Sequence, residues 1–192
     1  MATIPMADDG VNTKVEAVSE ASTETIELKT ADGGVFDVDK SVAMEFLILK
    51  SFYEDEGRVF DKTSFSLPNV KERELSKVIE YCTRALEFSA KSAAAAGDRD
   101  AERVVRVERE GFEAEFVNEL SNDMLKELIL AVDYLDIKEM LDFLTQSVAN
   151  RIQNRSVEYV RQFFDIANDF TPQEEEQIHQ ENAWAFEGVD AD

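Results

Sequence analysis

The sequence predicts an α+β protein, with a small β-sheet and its helices first and a wholly helical part after them. Three observations carry this. Residues 26–39 alternate apolar and polar side chains on either side of a Gly-Gly pair. Leu75, Val78, Ile79, Cys82 and Leu86 then fall at i, i+3, i+4, i+7 and i+11, the period of a helix with one buried face. From Phe112 onward the apolar patterns are all helical.

The elements follow in order. Residues 1–24 are mostly small and polar with no sustained period, which predicts a disordered tail. Asp8, Asp9, Glu16 and Glu20 against Lys14 give it neither the basic start nor the apolar centre of a signal peptide. In Ile26–Thr30, Ile26 and Leu28 point one way while Glu27 and Lys29 point the other. Val35–Asp39 repeats the pattern, with Phe36 and Val38 opposite Asp37 and Asp39. Ala31-Asp32-Gly33-Gly34 between them is a hairpin turn, because glycine tolerates positive φ. Ser41 is placed to cap a helix over Val42–Phe46, and a second helix follows over Leu47–Tyr53. Residues 54–62 read as a charged loop around Gly57. Phe65 and Leu67 alternate with Ser64 and Ser66 in a short strand that Pro68 ends. Asn69, with Glu72 three residues on, is placed to cap the helix that carries Leu75 to Leu86.

Composition shifts at Ser89. Residues 91–97 are rich in Ala and Ser, and 98–110 mix four arginines with five acids. Taken alone, 98–110 could form a marginal helix, since Ala and Arg propensities are good, but the whole of 89–110 reads as a mobile insert. Phe112–Leu120 is a short helix, and Asn122 is placed to cap Asp123–Leu135. Ile137–Ile152 carries Ile137, Met140, Leu141, Leu144, Val148 and Ile152 along one stripe. Ser156 is placed to cap Val157–Ile166. The organisation is therefore a tail over 1–24, an α/β domain over 25–152 with its insert at 89–110, and a helical extension over 153–192 that ends acidic.

Charge and composition exclude several functions. The net charge is −22, from 42 acidic against 20 basic residues. Binding to phosphate backbones or anionic lipid needs Lys and Arg, so neither nucleic acid nor a membrane surface is a partner. Apolar runs such as Phe46–Leu49 are far too short to span a bilayer. With Cys82 as the single cysteine there is no intrachain disulfide and no cysteine zinc cluster. A reducing compartment, cytoplasm or nucleus, is expected.

The acidic end, Asn168 to Phe186, points most directly to function. Thr171 is placed to cap, Pro172 suits the first helical position, and Glu174 completes a capping box. Glu174, Glu175 and Glu176 stand in the first turn, where the helix dipole favours negative charge. Yet Ile178, Trp184 and Phe186 lie at widely separated angles and form no stripe that would hold this helix on a core. Strong local signals with a weak inward face point to burial completed by a partner.

Motifs in sequence order add to this. They are I-E-L-K-T-A-D-G from Ile26, F-S-L-P-N-V from Phe65 and K-V-I-E-Y-C-T from Lys77. Then come E-L-I-L-A-V-D-Y-L-D-I-K from Glu127, V-A-N-R-I from Val148, N-D-F-T-P-Q-E-E-E from Asn168 and E-N-A-W-A-F from Glu181. Together, over roughly residues 25–187 apart from the insert, they resemble the Skp-one-type adaptor subunit of SCF (Skp–cullin–F-box) ubiquitin ligases. The resemblance implies a BTB/POZ fold for the α/β part, followed by C-terminal helices that grasp the F-box of a substrate receptor. It implies a cullin docked on the other side of the BTB/POZ part, a RING subunit and ubiquitin-conjugating enzyme recruited through that cullin, no cofactor, no metal and no catalytic residue. Such adaptors work in nucleus and cytoplasm.

Carried onto this chain, the resemblance assigns F-box binding to Leu141, Leu144, Val148, Ile152, Val160, Phe163, Phe164, Phe170, Ile178, Asn182 and Trp184. Trp184 and Phe164 are the expected aromatic anchors. Cullin contact is assigned to Leu47, Ile48, Phe52, Asp133 and Tyr134. The chain departs from the family pattern in places. Asp133 replaces an Asn, which keeps the size, loses an amide donor and adds charge. Phe112-Glu113 stands for a Trp-Asp pair, Lys126 for a Phe, and Ser156-Val157-Glu158-Tyr159-Val160-Arg161 for T-P-E-E-I-R. These departures imply an altered receptor preference.

Other readings of single features are weaker. Adjacent glutamates 174–176 face different directions and lack a His–Asp constellation, so they are a solvated helix start. His179 has no ligand partners in sequence, Cys82 lies on a core stripe, and acids nearly neutralise Arg99, Arg103, Arg106 and Arg109. Asp32-Gly33-Gly34 lacks the Lys and helix of a phosphate loop. The rival reading is a self-associating BTB/POZ scaffold, which would require the run Phe46–Leu49 to be exposed.

Overall fold

The computed structural model describes residues 24–56 and 64–188. The expected N-terminal tail, most of the charged loop after residue 56 and the last four residues lie outside them. The elements are β1 (Thr25–Thr30), β2 (Val35–Asp39), α1 (Lys40–Ala43), α2 (Leu47–Glu56), β3 (Ser64–Leu67), α3 (Glu72–Ala95), α4 (Arg99–Asn118), α5 (Asn122–Leu135), α6 (Lys138–Ile152), α7 (Val157–Phe163) and α8 (Pro172–Glu181), with a short 3-10 turn at Ala183–Phe186.

β1 and β2 form the expected hairpin, in register from Thr25 opposite Asp39 to Lys29 opposite Val35. Gly33 turns it with φ 91. Gly34 is needed for a different reason: a Cβ there would lie 2.9 Å from Thr30 Oγ1 and 3.2 Å from Glu72 Cβ. β3 adds on the other side of β1, parallel to it, after the crossover through α1 and α2. Ile26, Leu28, Val38 and Leu67 turn inward into one core shared with Leu75 and Val78 of α3 and Leu128 of α5.

Where helices start differs from the sequence reading at three places. α1 begins at Lys40, so Ser41 lies inside it and caps nothing. Ser121, not Asn122, caps α5, its Oγ accepting from the Met124 amide at 3.1 Å. Asn69 does not cap α3. The Glu74 carboxylate accepts from the Lys71 amide at 2.7 Å, and Asp32, in the hairpin turn, accepts from the Glu72 amide at 3.0 Å. The orphan donors of a helix start can be satisfied from anywhere in the chain, and here the sheet supplies an acceptor. Ser156 and Thr171 cap α7 and α8 as expected.

The segment read as a mobile insert is helical. α3 runs on to Ala95, and α4 occupies Arg99–Asn118, absorbing the short helix expected at Phe112. Asp98 caps α4 by accepting from the Asp100 and Ala101 amides. The two helices lie antiparallel, tied by Lys91–Glu108 at 2.6 Å and Lys77–Glu119 at 2.9 Å. Phe116 is buried where they meet α6, in ring contact with Tyr81, Phe112 and Phe143. Favourable Ala and Arg propensities and this aromatic anchor outweigh the dense surface charge. Arg151 near the end of α6 closes the other end of α4: it donates to the Val117 and Leu120 carbonyls at 2.6 and 2.8 Å and to Asn122 Oδ1 at 2.7 Å.

Cys82 is buried on the core side of α3. Burial, with Glu45 and Glu139 nearby, pushes its thiol up to about 12. We expect no reaction with a thiol reagent at about pH 8 in the native protein and full reaction once it is unfolded. Rapid native labelling would show that the core opens at α3.

Candidate functional site: two docking surfaces

α6 and α7 place the expected receptor-side residues at different depths. Leu144 and Phe163, both expected on the receptor side, are sealed in the core of the uncomplexed chain. Leu144 is on the inner side of the α6 stripe, and Phe163 packs edge-on against Phe164 beneath the α5 surface. As folded, both position their helices and offer no side-chain surface to a partner. Leu141, Val148, Ile152 and Val160 are half-buried. Phe164 is 41% exposed, and Phe170 and Ile178 are exposed beyond it. Trp184 is 75% exposed. Asn182 follows α8 and donates from Nδ2 to the Ile178 carbonyl at 2.9 Å, closing the helix end.

α8 and the turn after it contain no buried residue. What joins α8 to α7 is polar. Arg161 Nη1 donates to Glu175 Oε1 at 3.0 Å, Asn168 Nδ2 donates to the same oxygen at 2.6 Å, and the Arg161 guanidinium lies 5.8 Å from the Phe170 ring centre. His179 stacks on Phe186 with ring centres 4.3 Å apart. An open groove of ≈ 650 Å³ runs between the two helices, lined by Val157, Arg161, Phe170, Ile178 and Phe186 among others, with room for several side chains.

The start of α8 is sensitive to acid. Hydrogen bonds from the Thr171 amide and hydroxyl hold the Glu174 carboxyl below its ordinary value of 4.5. Those from Asn168 and then Arg161 do the same for Glu175. A carboxyl lowered in the folded state stabilises above its unfolded value, and that contribution is lost as pH falls through the folded one. The protection factors of the Thr171 and Glu174 amides, taken relative to the intrinsic exchange rate at each pH, are therefore expected to fall selectively on going from about pH 6 to about pH 3. Unchanged protection over that range would show that the capping box does not hold the helix.

The other expected residues group elsewhere. Leu47 is exposed, and Ile48 and Phe52 half-buried, on α2, with Phe52 edge-on to Phe65 at 5.2 Å. α2 packs on α5, which carries exposed Asp133 and half-buried Tyr134. The sequence reading missed Leu130, which is 71% exposed on the same α5 face, and Ile166, exposed after α7. The signal for Leu130 was present: it is out of phase with Leu125, Leu128, Val132 and Leu135, which point into the core. Phe46 and Leu49, by contrast, are fully buried, so of the run that motivated self-association only Leu47 and part of Ile48 reach the surface.

A three-stranded sheet wrapped by helices, with a C-terminal helix that leaves its apolar groups uncovered, defines a class of small interaction modules. Two family descriptions match the chain: "Skp1 family, tetramerisation domain" over residues 24–87 and "Skp1 family, dimerisation domain" over residues 138–185. It is 43% identical over 177 residues to SKP1-like protein 20 of Oryza sativa subsp. japonica, covering 88% of this chain and 99% of the relative. It is 40% identical over 171 residues to SKP1-like protein 1A of Arabidopsis thaliana, covering 86% and 99%. It is 38% identical over 160 residues to the E3 ubiquitin ligase complex SCF subunit sconC of Talaromyces marneffei, covering 83% and 96%. The chain belongs to the Skp1 family.

Proposed function

We propose that this chain is a non-catalytic adaptor that links a cullin scaffold to F-box substrate receptors in an SCF E3 ubiquitin ligase, and so promotes ubiquitination and proteasomal degradation of what the receptors bind. One observation carries the receptor side: α8 and its following turn are ordered by caps and ion pairs yet bury nothing, with Trp184 and Phe164 facing out. F-box segments are short helices poorly able to bury themselves, and an apolar helical strap is their complement. A stable complex of this kind buries about 2,000 Å² or more. The cullin side is Leu47, Ile48, Phe52, Asp133 and Tyr134, extended by Leu130. In this arrangement the cullin brings the RING subunit and the charged conjugating enzyme, and this chain contributes no reacting group.

Reconstitution with one cullin and a panel of F-box proteins tests the reading. A ternary complex that forms only when this chain is added is the expected result. Tyr134→Ala should weaken cullin capture by roughly tenfold or more while leaving F-box capture intact. Asp133→Asn, run in parallel, reads the effect of the extra charge. Failure to capture any F-box protein would overturn the proposal.

A further inference from the structure

His179, the single histidine of the chain, lies in the last turn of α8, and its ring stacks on that of Phe186 at the end of the 3-10 turn. The ring centres are 4.3 Å apart and the planes 24° from parallel. Phe186 is half-buried, whereas Trp184 in the same turn is 75% exposed.

Little else holds this turn. The Asn182 amide and Nδ2 both donate to the Ile178 carbonyl, at 3.0 and 2.9 Å, and the Ala185 amide donates to the Asn182 carbonyl at 2.8 Å. Among the described residues, the side chains of Ala183–Phe186 make no hydrogen bond and no ring contact other than the stack on His179. No residue of the turn is buried, so no core contact substitutes for the stack.

The phase of the turn then sets the direction of the indole. A 3-10 helix has about three residues per turn, so side chains two positions apart point about 120° apart. With Phe186 laid on His179, Trp184 is directed away from that ring pair. The same two rings line the groove between α7 and α8, together with Val157, Phe170 and Ile178. One contact therefore fixes both a wall of the groove and the aim of the exposed aromatic. Without it the turn must be ordered as a partner binds, and ordering at an interface costs affinity.

Resting on the adaptor reading, we propose that His179 and Phe186 are positioning residues, whose stack holds the C-terminal turn so that Trp184 projects as the receptor anchor before a receptor arrives. The role requires a flat ring at position 179 and not its charge.

The test uses the full chain and the panel of F-box domains, with Trp184, the only tryptophan, as reporter. In the uncomplexed chain, the fluorescence anisotropy of Trp184 should fall in His179→Ala and stay at the wild-type value in His179→Tyr, which keeps a ring. His179 is exposed and Ala favours helix, so α8 itself survives the change. F-box capture should weaken about three- to tenfold in His179→Ala and stay within about twofold of wild type in His179→Tyr. In a Trp184→Ala background, His179→Ala should weaken capture by less than about twofold, because a positioning residue acts through the group it positions. Unchanged anisotropy in His179→Ala, equal loss of capture in the Ala and Tyr variants, or a full effect without Trp184 would each overturn the proposal while the adaptor reading stands. If the wild-type chain captures none of the F-box domains, the adaptor reading falls and takes this proposal with it.

Discussion

Deletion of Thr171–Phe186 is expected to abolish F-box capture and to leave the rest of the molecule folded. Those residues include no buried side chain, so their removal opens no cavity. What is lost on the intramolecular side is the pair Arg161–Glu175, its Asn168 partner and the local capping box. Exposed ion pairs contribute about 0–1 kcal/mol, which for a chain of this size is a Tm change of about 2–4 °C at most. The loss on the partner side is far larger. Trp184 alone, as an exposed aromatic anchor, should account for about 2 kcal/mol or more, roughly thirtyfold in Kd. With Ile178 and the α8 wall of the groove removed as well, capture should drop at least about a hundredfold. A pull-down beside a thermal melt reads both quantities. Undiminished capture by the truncated chain would place the receptor site elsewhere.

Phe116→Ala should have the opposite signature. Its ring is buried and touches Tyr81 edge-on at 5.6 Å, Phe112 at 5.8 Å and Phe143 at 6.4 Å, with Lys77 Nζ 5.3 Å from its centre. Truncating a buried Phe costs about 3–5 kcal/mol through lost burial and the cavity left behind. Phe116 is remote in sequence from the strap, so the folded fraction should still capture an F-box segment. Denaturant titration measures the effect. A cost under about 1 kcal/mol would mean that α4 rests on the domain without being part of its core.

How much of this is legible in the sequence depends on whether the physics is local. The hairpin is, because strict alternation and a Gly-Gly turn leave few alternatives. The capping boxes at Thr171 and the cap at Ser156 are, because donor and acceptor lie within three residues. The start of α3 is only half so: Glu74 accepts from an amide three residues away, but the second acceptor, Asp32, is 40 residues from its donor. α4 was obscured in a different way. Ala101, Val105, Arg109, Phe112 and Phe116 form one continuous inward face, but a change of composition at Gly111 splits it into a charged stretch and a short helix.

The docking residues show a further limit. Apolar periodicity identifies a stripe such as Leu141, Leu144, Val148 and Ile152 without saying which part faces the chain's own core. Packing decides that Leu144 is sealed and its neighbours only half so. Leu130 went unassigned for the converse reason. It lies in a long apolar run, and only its phase separates it from Leu128 and Val132. The exposed aromatic groups of the strap were legible because no helical phase could bring Ile178, Trp184 and Phe186 to one side.

The carboxylate of Asp32 has a wider role than its place in a turn suggests. It accepts from the Thr30 hydroxyl at 2.6 Å within the hairpin and from the Glu72 amide at 3.0 Å at the head of the longest helix. The Ala31 amide donates to the Val70 carbonyl at 2.8 Å beside it. Neither segment can separate from the other without exposing unpaired donors on both, so the sheet edge and the helix head open to solvent as a single cooperative unit. The hairpin turn and the head of α3 are thereby held to each other by bonds that involve no residue of α8 or the turn after it, so fraying of the C-terminal helix leaves this junction shut.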